Sequence, residues 1–193
     1  MSKTKTIDLT SGPILKTLAE LALPIMASSL LGTAYNITDM AWIGMLGSKA
    51  VAGVGVGGMY VWLSQGLVAL PRMGGQVNVA QACGRGDYEQ ARGYAASALR
   101  LTFLLGILFA AVCIVFIHPL LGFFNLGDAK TYTAAKLYTL ITCGLILFSF
   151  LNLTLTGLST AQGDSKTPLM ANLLGLVGNM ILDPILILGF GPF

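Results

Sequence analysis

Two carboxylates sit in stretches where apolar residues otherwise run almost unbroken. Asp39 lies in the run from about Leu21 to Leu46, and Asp183 in the run from Leu169 to Phe190. A charged group in hydrocarbon is costly and persists mainly where it faces a bundle interior and binds or relays something. Their depths match: Asp39 follows Pro24 by fifteen residues (39 − 24), and Asp183 follows Pro168 by fifteen (183 − 168). If both runs are helices pointing the same way, each acid stands roughly 22 Å above its Pro-marked entry, at ~1.5 Å per residue. Two acids at one height, in the outer half of a bilayer, could share one ion.

Their neighbours fit that chemistry. Asn36 and Asp39 are three apart and Asn179 and Asp183 four apart, so each pair shares a helix face. Tyr35 and Thr38 add further oxygens. Hard oxygen ligands of this kind suit a shared proton or Na⁺ bound at Asp39, Asn179 and Asp183. The plainer alternative is that each Asp serves packing alone. Pro24 and Pro184 free the carbonyls of Glu20 and Met180 and give their helices places to bend. Asn152, beside Thr154 and Thr156, reads either as helix–helix glue or as a cavity-lining group.

The elements that must hold these residues are membrane spans. Apolar residues make up 55% of the chain and charged residues 10%, with a mean hydropathy of +0.78. An ordinary soluble domain carries about 25% charge. Five spans are expected, roughly 21–46, 51–82, 94–120, 133–160 and 168–191, each near the ~20 residues needed to cross. Residues 1–20 read as a cytoplasmic or interfacial lead-in rather than a cleavable signal. The second run is too long for a simple span, so it either continues past the membrane edge or breaks at Gly74-Gly75. The fold class is an all-α integral membrane protein, a polytopic helix bundle. With the N-terminus inside, Lys3, Lys5, Lys16, Arg85, Arg92 and Lys166 fall on the inner side, and Lys49, Lys130 and Lys136 on the outer. That bias favours a cytoplasmic N-terminus.

Several functions are disfavoured. The net charge of +3 is small and its basic residues are scattered, against a nucleic-acid partner. Cys83, Cys113 and Cys143 lack metal spacing and read as small buried hydrophobes, neither bridged nor metal-bound. Neither a nucleophile–base pairing nor a His/Cys metal cluster is legible, so the chain does not read as an enzyme and no cofactor is expected beyond H⁺ or Na⁺. His118-Pro119 reads as the structural end of the third span. The glycines at 53, 55, 57 and 58 read as a close-packing surface. Trp42, Tyr60 and Trp62 fit an interfacial belt or a cavity wall. Arg72 reads as an anchor at the inner end of span two.

Three stretches together carry a resemblance. They are Leu21-Ala-Leu-Pro24-Ile followed by Tyr35-Asn-Ile-Thr-Asp39-Met-Ala-Trp-Ile-Gly44; Val79-Ala-Gln-Ala-Cys-Gly-Arg-Gly-Asp87; and Gly157 to Pro168 followed by Asn179-Met-Ile-Leu-Asp183-Pro184. In this order and spacing the chain resembles the MATE family (multidrug and toxic compound extrusion), within a group that also includes lipid-linked oligosaccharide flippases. The resemblance implies a twelve-helix membrane transporter of two six-helix lobes. The five spans here would form most of the N-terminal lobe, a fragment whose partner is the missing C-terminal lobe. It further implies multi-pass residence in the plasma membrane and H⁺- or Na⁺-coupled efflux of cationic or amphiphilic drug-like molecules. Asp39, Asn179 and Asp183 match the family's cation-coupling positions, and Asn152 a cavity-lining one. Pro24 matches a first-helix proline that supports bending. A flippase, or an inactive membrane module, is the alternative.

Overall fold

The computed structural model describes residues 14–187, apart from the side chains at 16, 21, 28, 184, 186 and 187. Seven helices follow one another: α1 Ile14–Met45, α2 Ser48–Gly84, α3 Tyr88–Val115, α4 Ile117–Gly122, α5 Ala129–Gly144, α6 Ile146–Ala161 and α7 Lys166–Ile187. Three of them are long and apolar enough to cross a membrane, and the bent pair α5–α6 makes a fourth. The 22 residues of α7 extend about 33 Å at ~1.5 Å per residue, enough to span as well. Apolar side chains also crowd the outside: Leu15, Leu23, Leu30, Trp62, Leu104 and Leu174 are all exposed. The chain is an all-α membrane helix bundle.

The helix limits follow local chemistry. The turn after α1 passes through Gly47 at φ 97°, a conformation that suits a residue without Cβ. Asp87 caps α3 by accepting from the Gln90 N–H at 2.9 Å. Asp128 caps α5, accepting from the Thr131 N–H at 3.3 Å and its hydroxyl at 3.2 Å. Asp164 caps α7, accepting from the Lys166 N–H at 3.1 Å and the Thr167 N–H at 3.0 Å.

Three expectations need adjustment, and of the two readings of the second span the continuous one holds. Ile14–Glu20 is no separate lead-in but the first turns of α1; residues 1–13 lie outside the described residues, as does the Lys16 side chain. The second span does not break at Gly74-Gly75. It continues unbroken for 37 residues with Pro71 buried inside it, about 55 Å at ~1.5 Å per residue, so it projects well beyond a ~30 Å hydrocarbon layer. The third span ends at Val115 rather than 120, because the backbone breaks at Phe116 before the short α4 that holds His118 and Pro119. The fourth span is two helices meeting at 45°. Thr142 donates its hydroxyl to the Tyr138 carbonyl at 2.7 Å, a back-bond that bends helices, and Gly144 follows at the joint.

Packing centres on α2, which touches α3, α5 and α6 along its length. Val56, Ile117, Leu121 and Ala135 form an apolar layer at one end. Val68, Phe109, Cys113, Cys143, Ile146 and Phe150 form the middle one. Val79, Ala82, Ala91, Ala98, Leu158 and Ala161 form the other end. Two of the four glycines at 53–58 fulfil the packing role: Gly53 faces Ala134 and Ala135, and Gly57 faces Tyr138 and Thr139, while Gly55 and Gly58 face open space. Trp62 points outward at 78% exposure. Tyr60 instead turns inward and donates to the Leu120 carbonyl at 2.7 Å. His118 Nδ1 meets the Tyr132 hydroxyl at 2.9 Å. All three cysteines are free, with Cys113 and Cys143 buried and Cys83 half-buried. Beside this four-helix core, α1 packs chiefly on α7 and only lightly on α2.

Candidate functional site

The α1–α7 pair places the acids. Leu31 and Gly32 share an open groove of about 140 Å³ with Leu169, Asn172, Leu173 and Leu176. Further along, Tyr35 of α1 lies near Asn179 and Asp183 of α7. The charges of Asp39 and Asp183 act on one another. Asp39 with Asp183 and Tyr35 with Asn179 both differ by 144 residues (183 − 39, 179 − 35). A constant difference is the mark of two helices running in parallel, as the packing of α1 on α7 requires.

A third element reaches the same place. Tyr138, on α5 just before the bend, lies in the electrostatic field of Asp39 while its ring covers Gly57 of α2. Sequence reading passed over Tyr138: it is one aromatic residue in an apolar run, and its direction depends on a helix break that hydropathy does not reveal. The arrangement is therefore two carboxylates, one amide and two phenols, drawn from α1, α5 and α7. Two carboxylates this close repel when both are ionised, and one shared proton or one bound cation relieves that repulsion. The phenols and the Asn179 amide can orient the acids or add neutral oxygen ligands.

Other expected members stand apart. Asn36 is exposed, and among the described residues no hydrogen bond joins it to the acids. Thr38 donates its hydroxyl to the Ala34 carbonyl at 3.0 Å. Asn152 is drawn to α7, donating to Asn172 Oδ1 at 3.4 Å. Thr154 bonds with Thr102 at 2.9 Å inside the core. Pro24 lies half-buried within α1, whereas the ring of Pro184 lies outside the described side chains. Arg72 lies across Gly157 of α6, whose added Cβ would meet Arg72 Cγ at 3.1 Å, and its Nε is buried without a partner. Among the described residues no group of three or more His, Cys, Asp or Glu could hold a metal ion.

Charged groups at the helix ends are more conventional. Lys49 Nζ lies 3.1 Å from Asp128 Oδ2, tying the α1–α2 turn to the start of α5. Hydrogen bonding from Lys49, reinforced by Thr131, holds the Asp128 carboxyl below its ordinary range. Burial pushes the Asp164 carboxyl up, but hydrogen bonds from Thr167 and Lys166 outweigh it and leave the group lowered.

A parallel helix pair with facing intramembrane acids, flanking a membrane-spanning core, defines a polytopic membrane protein with a candidate cation site. A family model described as MatE matches residues 24–185, and the chain belongs to that family. The chain is 28% identical over 185 residues to a protein named "FAD transporter" from Shewanella oneidensis, covering 96% of this chain and 41% of that protein. It is 28% identical over 177 residues to "Probable multidrug resistance protein NorM" from Thermotoga maritima, covering 91% of this chain and 38% of that one. Among solved structures, a transporter of the MOP superfamily from Pyrococcus furiosus superposes with a TM-score of 0.89 at 26% identity, over 100% of this chain and 42% of that chain. An outward-facing MATE family multidrug resistance transporter superposes at 0.84, also at 26% identity, over 100% and 42%. The chain thus spans about two fifths of the length of these relatives.

Proposed function

We propose that this chain forms most of the N-terminal lobe of a cation-coupled multidrug efflux antiporter. The observation that supports the reading is the packing of α1 on α7, which sets Asp39 and Tyr35 of the one helix near Asp183 and Asn179 of the other. Binding H⁺ or Na⁺ there removes repulsion between α1 and α7 and lets them close. A ligand shifts such an equilibrium only by its different affinity for the two arrangements, and the ion differs in affinity because the acids' separation changes. Pro24 and Pro184 supply the bending points. Movement of α1 and α7 against the core then reshapes the cavity and expels a cationic or amphiphilic compound. Transport needs a second lobe for this rocking, supplied by a C-terminal half. The protein resides in the cell membrane with lipid around it, and the six-to-three Lys/Arg bias supports a cytoplasmic N-terminus.

The flippase alternative draws less support. It calls for cationic side chains facing a cavity, yet Arg72 is wedged on Gly157 and Arg100 is exposed on α3. The relatives named above are multidrug or FAD transporters.

The test uses a two-lobed transporter carrying these residues, reconstituted in vesicles with an imposed H⁺ or Na⁺ gradient. Efflux of a cationic dye and of FAD is followed for Asp39→Asn, Asp183→Asn and the double variant. Each single change is expected to abolish gradient-driven efflux with normal membrane levels, and the double to be no worse, because the acids act as one unit. Coupled efflux surviving Asp39→Asn would place the coupling acid elsewhere.

A further inference from the structure

A second pair of reactive side chains meets in the core, outside the acid site. Helix α3 runs antiparallel to the bent span α5–α6, and the residues that face each other follow one rule. Thr102 bonds Thr154, Ala98 shares a cluster with Leu158, and Gly106 lies against Leu147 and Phe150. The numbers total 256 for the bonded pair and stay within one helical turn of that for the others. Cys113 and Cys143, eleven residues further along from Thr102 and eleven back from Thr154, also total 256 and share one buried cluster. Next to them, a Cβ on Gly144 would touch Ile114 Cδ1 at 3.9 Å. The register therefore holds on both sides of the 45° bend, and the cysteines form one of its layers.

Thr102 and Thr154 show how near the layers come, with their γ oxygens 2.9 Å apart. A cysteine sulfur occupies the same γ position, and a disulfide needs sulfurs at about 2.05 Å with Cβ atoms about 3.8 Å apart. Gly106 confirms the close backbone approach, since its added Cβ would stand 3.4 Å from the Leu147 Cα. Cys83 belongs to the opposite end of the bundle, against the Val79–Ala82 layer.

We propose that Cys113 and Cys143 are an oxidisable dithiol, a disulfide modification site that staples α3 to the fourth span just before its bend. The thiols are 2% and 0% exposed, so the oxidant has to be small and membrane-permeant; an azodicarboxamide such as diamide qualifies. Two S–H bonds break and one S–S bond forms. The two electrons and two protons pass to the N=N bond, giving the hydrazine. A charged aqueous oxidant does not reach the pair.

The experiment uses the unmodified chain in lipid vesicles. After diamide treatment and denaturation, free thiols are counted with a maleimide mass tag. Three tags per chain are expected before oxidation, matching the three cysteines, one afterwards at Cys83, and three again after dithiothreitol, with the band remaining monomeric. Cys113→Ser and Cys143→Ser are each expected to retain their remaining buried thiol in taggable form. As a check on the register, Thr102→Cys/Thr154→Cys, in a chain lacking Cys113 and Cys143, is expected to cross-link under the same treatment. Three tags persisting in the unmodified chain, tag loss in the single serine variants, or failure of dithiothreitol to restore the tags each overturns the proposal.

Discussion

Gly57 offers a quantitative test of how the core holds the site. A methyl group there would meet Tyr138 Cδ1 at 2.4 Å and Thr139 Oγ1 at 2.8 Å, whereas a methyl on Gly55, two residues earlier, would meet nothing within 4 Å. Restoring ordinary contact at 3.4 Å requires the Tyr138 ring to retreat by 1.0 Å (3.4 − 2.4). Thr139 is fully buried and cannot swing aside. Overpacking of this kind costs about 1–3 kcal/mol. The helix-propensity gain of Gly→Ala, about 0.5–1 kcal/mol, is common to both positions and cancels in the comparison. Gly57→Ala is thus expected to lie about 1–3 kcal/mol below Gly55→Ala. For a chain of this length that is roughly 2–12 °C in thermal midpoint, read by the loss of monodisperse protein on heating in detergent. A second readout follows from the same displacement: pushing Tyr138 off its place beside Asp39 is expected to weaken gradient-driven efflux in the two-lobed transporter, while Gly55→Ala leaves it unchanged. A Gly57→Ala protein as stable as Gly55→Ala would refute the placement of Tyr138 over α2.

Three further outcomes are expected. A double-mutant cycle of Thr102→Val and Thr154→Val is expected to give a coupling energy of about 0.6 kcal/mol, with ~1.7 as the upper bound for membrane helices, and zero coupling would contradict the 2.9 Å bond. For topology, Gly127→Cys is expected to react with an impermeant thiol reagent from outside the cell and Glu89→Cys only after permeabilisation; the reverse pattern inverts the orientation. Because Lys49 holds Asp128 below its ordinary range, their contact stabilises above the unfolded carboxylate value of about 3.9 and is lost as pH falls through the lower folded value. The small difference in thermal midpoint between the wild type and Lys49→Met is therefore expected at neutral pH and low salt, and a difference persisting below that acid range would assign it to packing.

The parts of this architecture written in single residues are legible in the sequence, and those written in geometry are not. Hydropathy reveals the spans because lipid forbids unpaired backbone in any other form. The Pro24–Asp39 and Pro168–Asp183 spacings announce a shared depth, and α1 does pack on α7. The break at Leu145 is hidden because Gly144 alone is common in membrane helices, and threonine back-bonds like that of Thr142 also occur inside unbroken helices here, as at Thr38 and Thr102. Tyr138 is hidden for the same reason. Pro71 misleads in the other direction: a proline beside a glycine pair looks like a breaker, yet α2 continues through it with Pro71 fully buried. Asn36 sits on the expected face by spacing, but the partner helix approaches through Tyr35 and Asp39 instead.

The pairing of α1 with α7 also sets an order of assembly. Asp39 enters the membrane with the first helix, and Asp183 is synthesised 144 residues later (183 − 39). At about 5–20 residues per second, a ribosome takes roughly 7–30 s to cover that interval. Throughout it α1 has only its light contact with α2 to rest on. The acids of α1 and α7 can come together only once α7 is made, so α1 waits 144 residues (183 − 39) for the helix it packs on most.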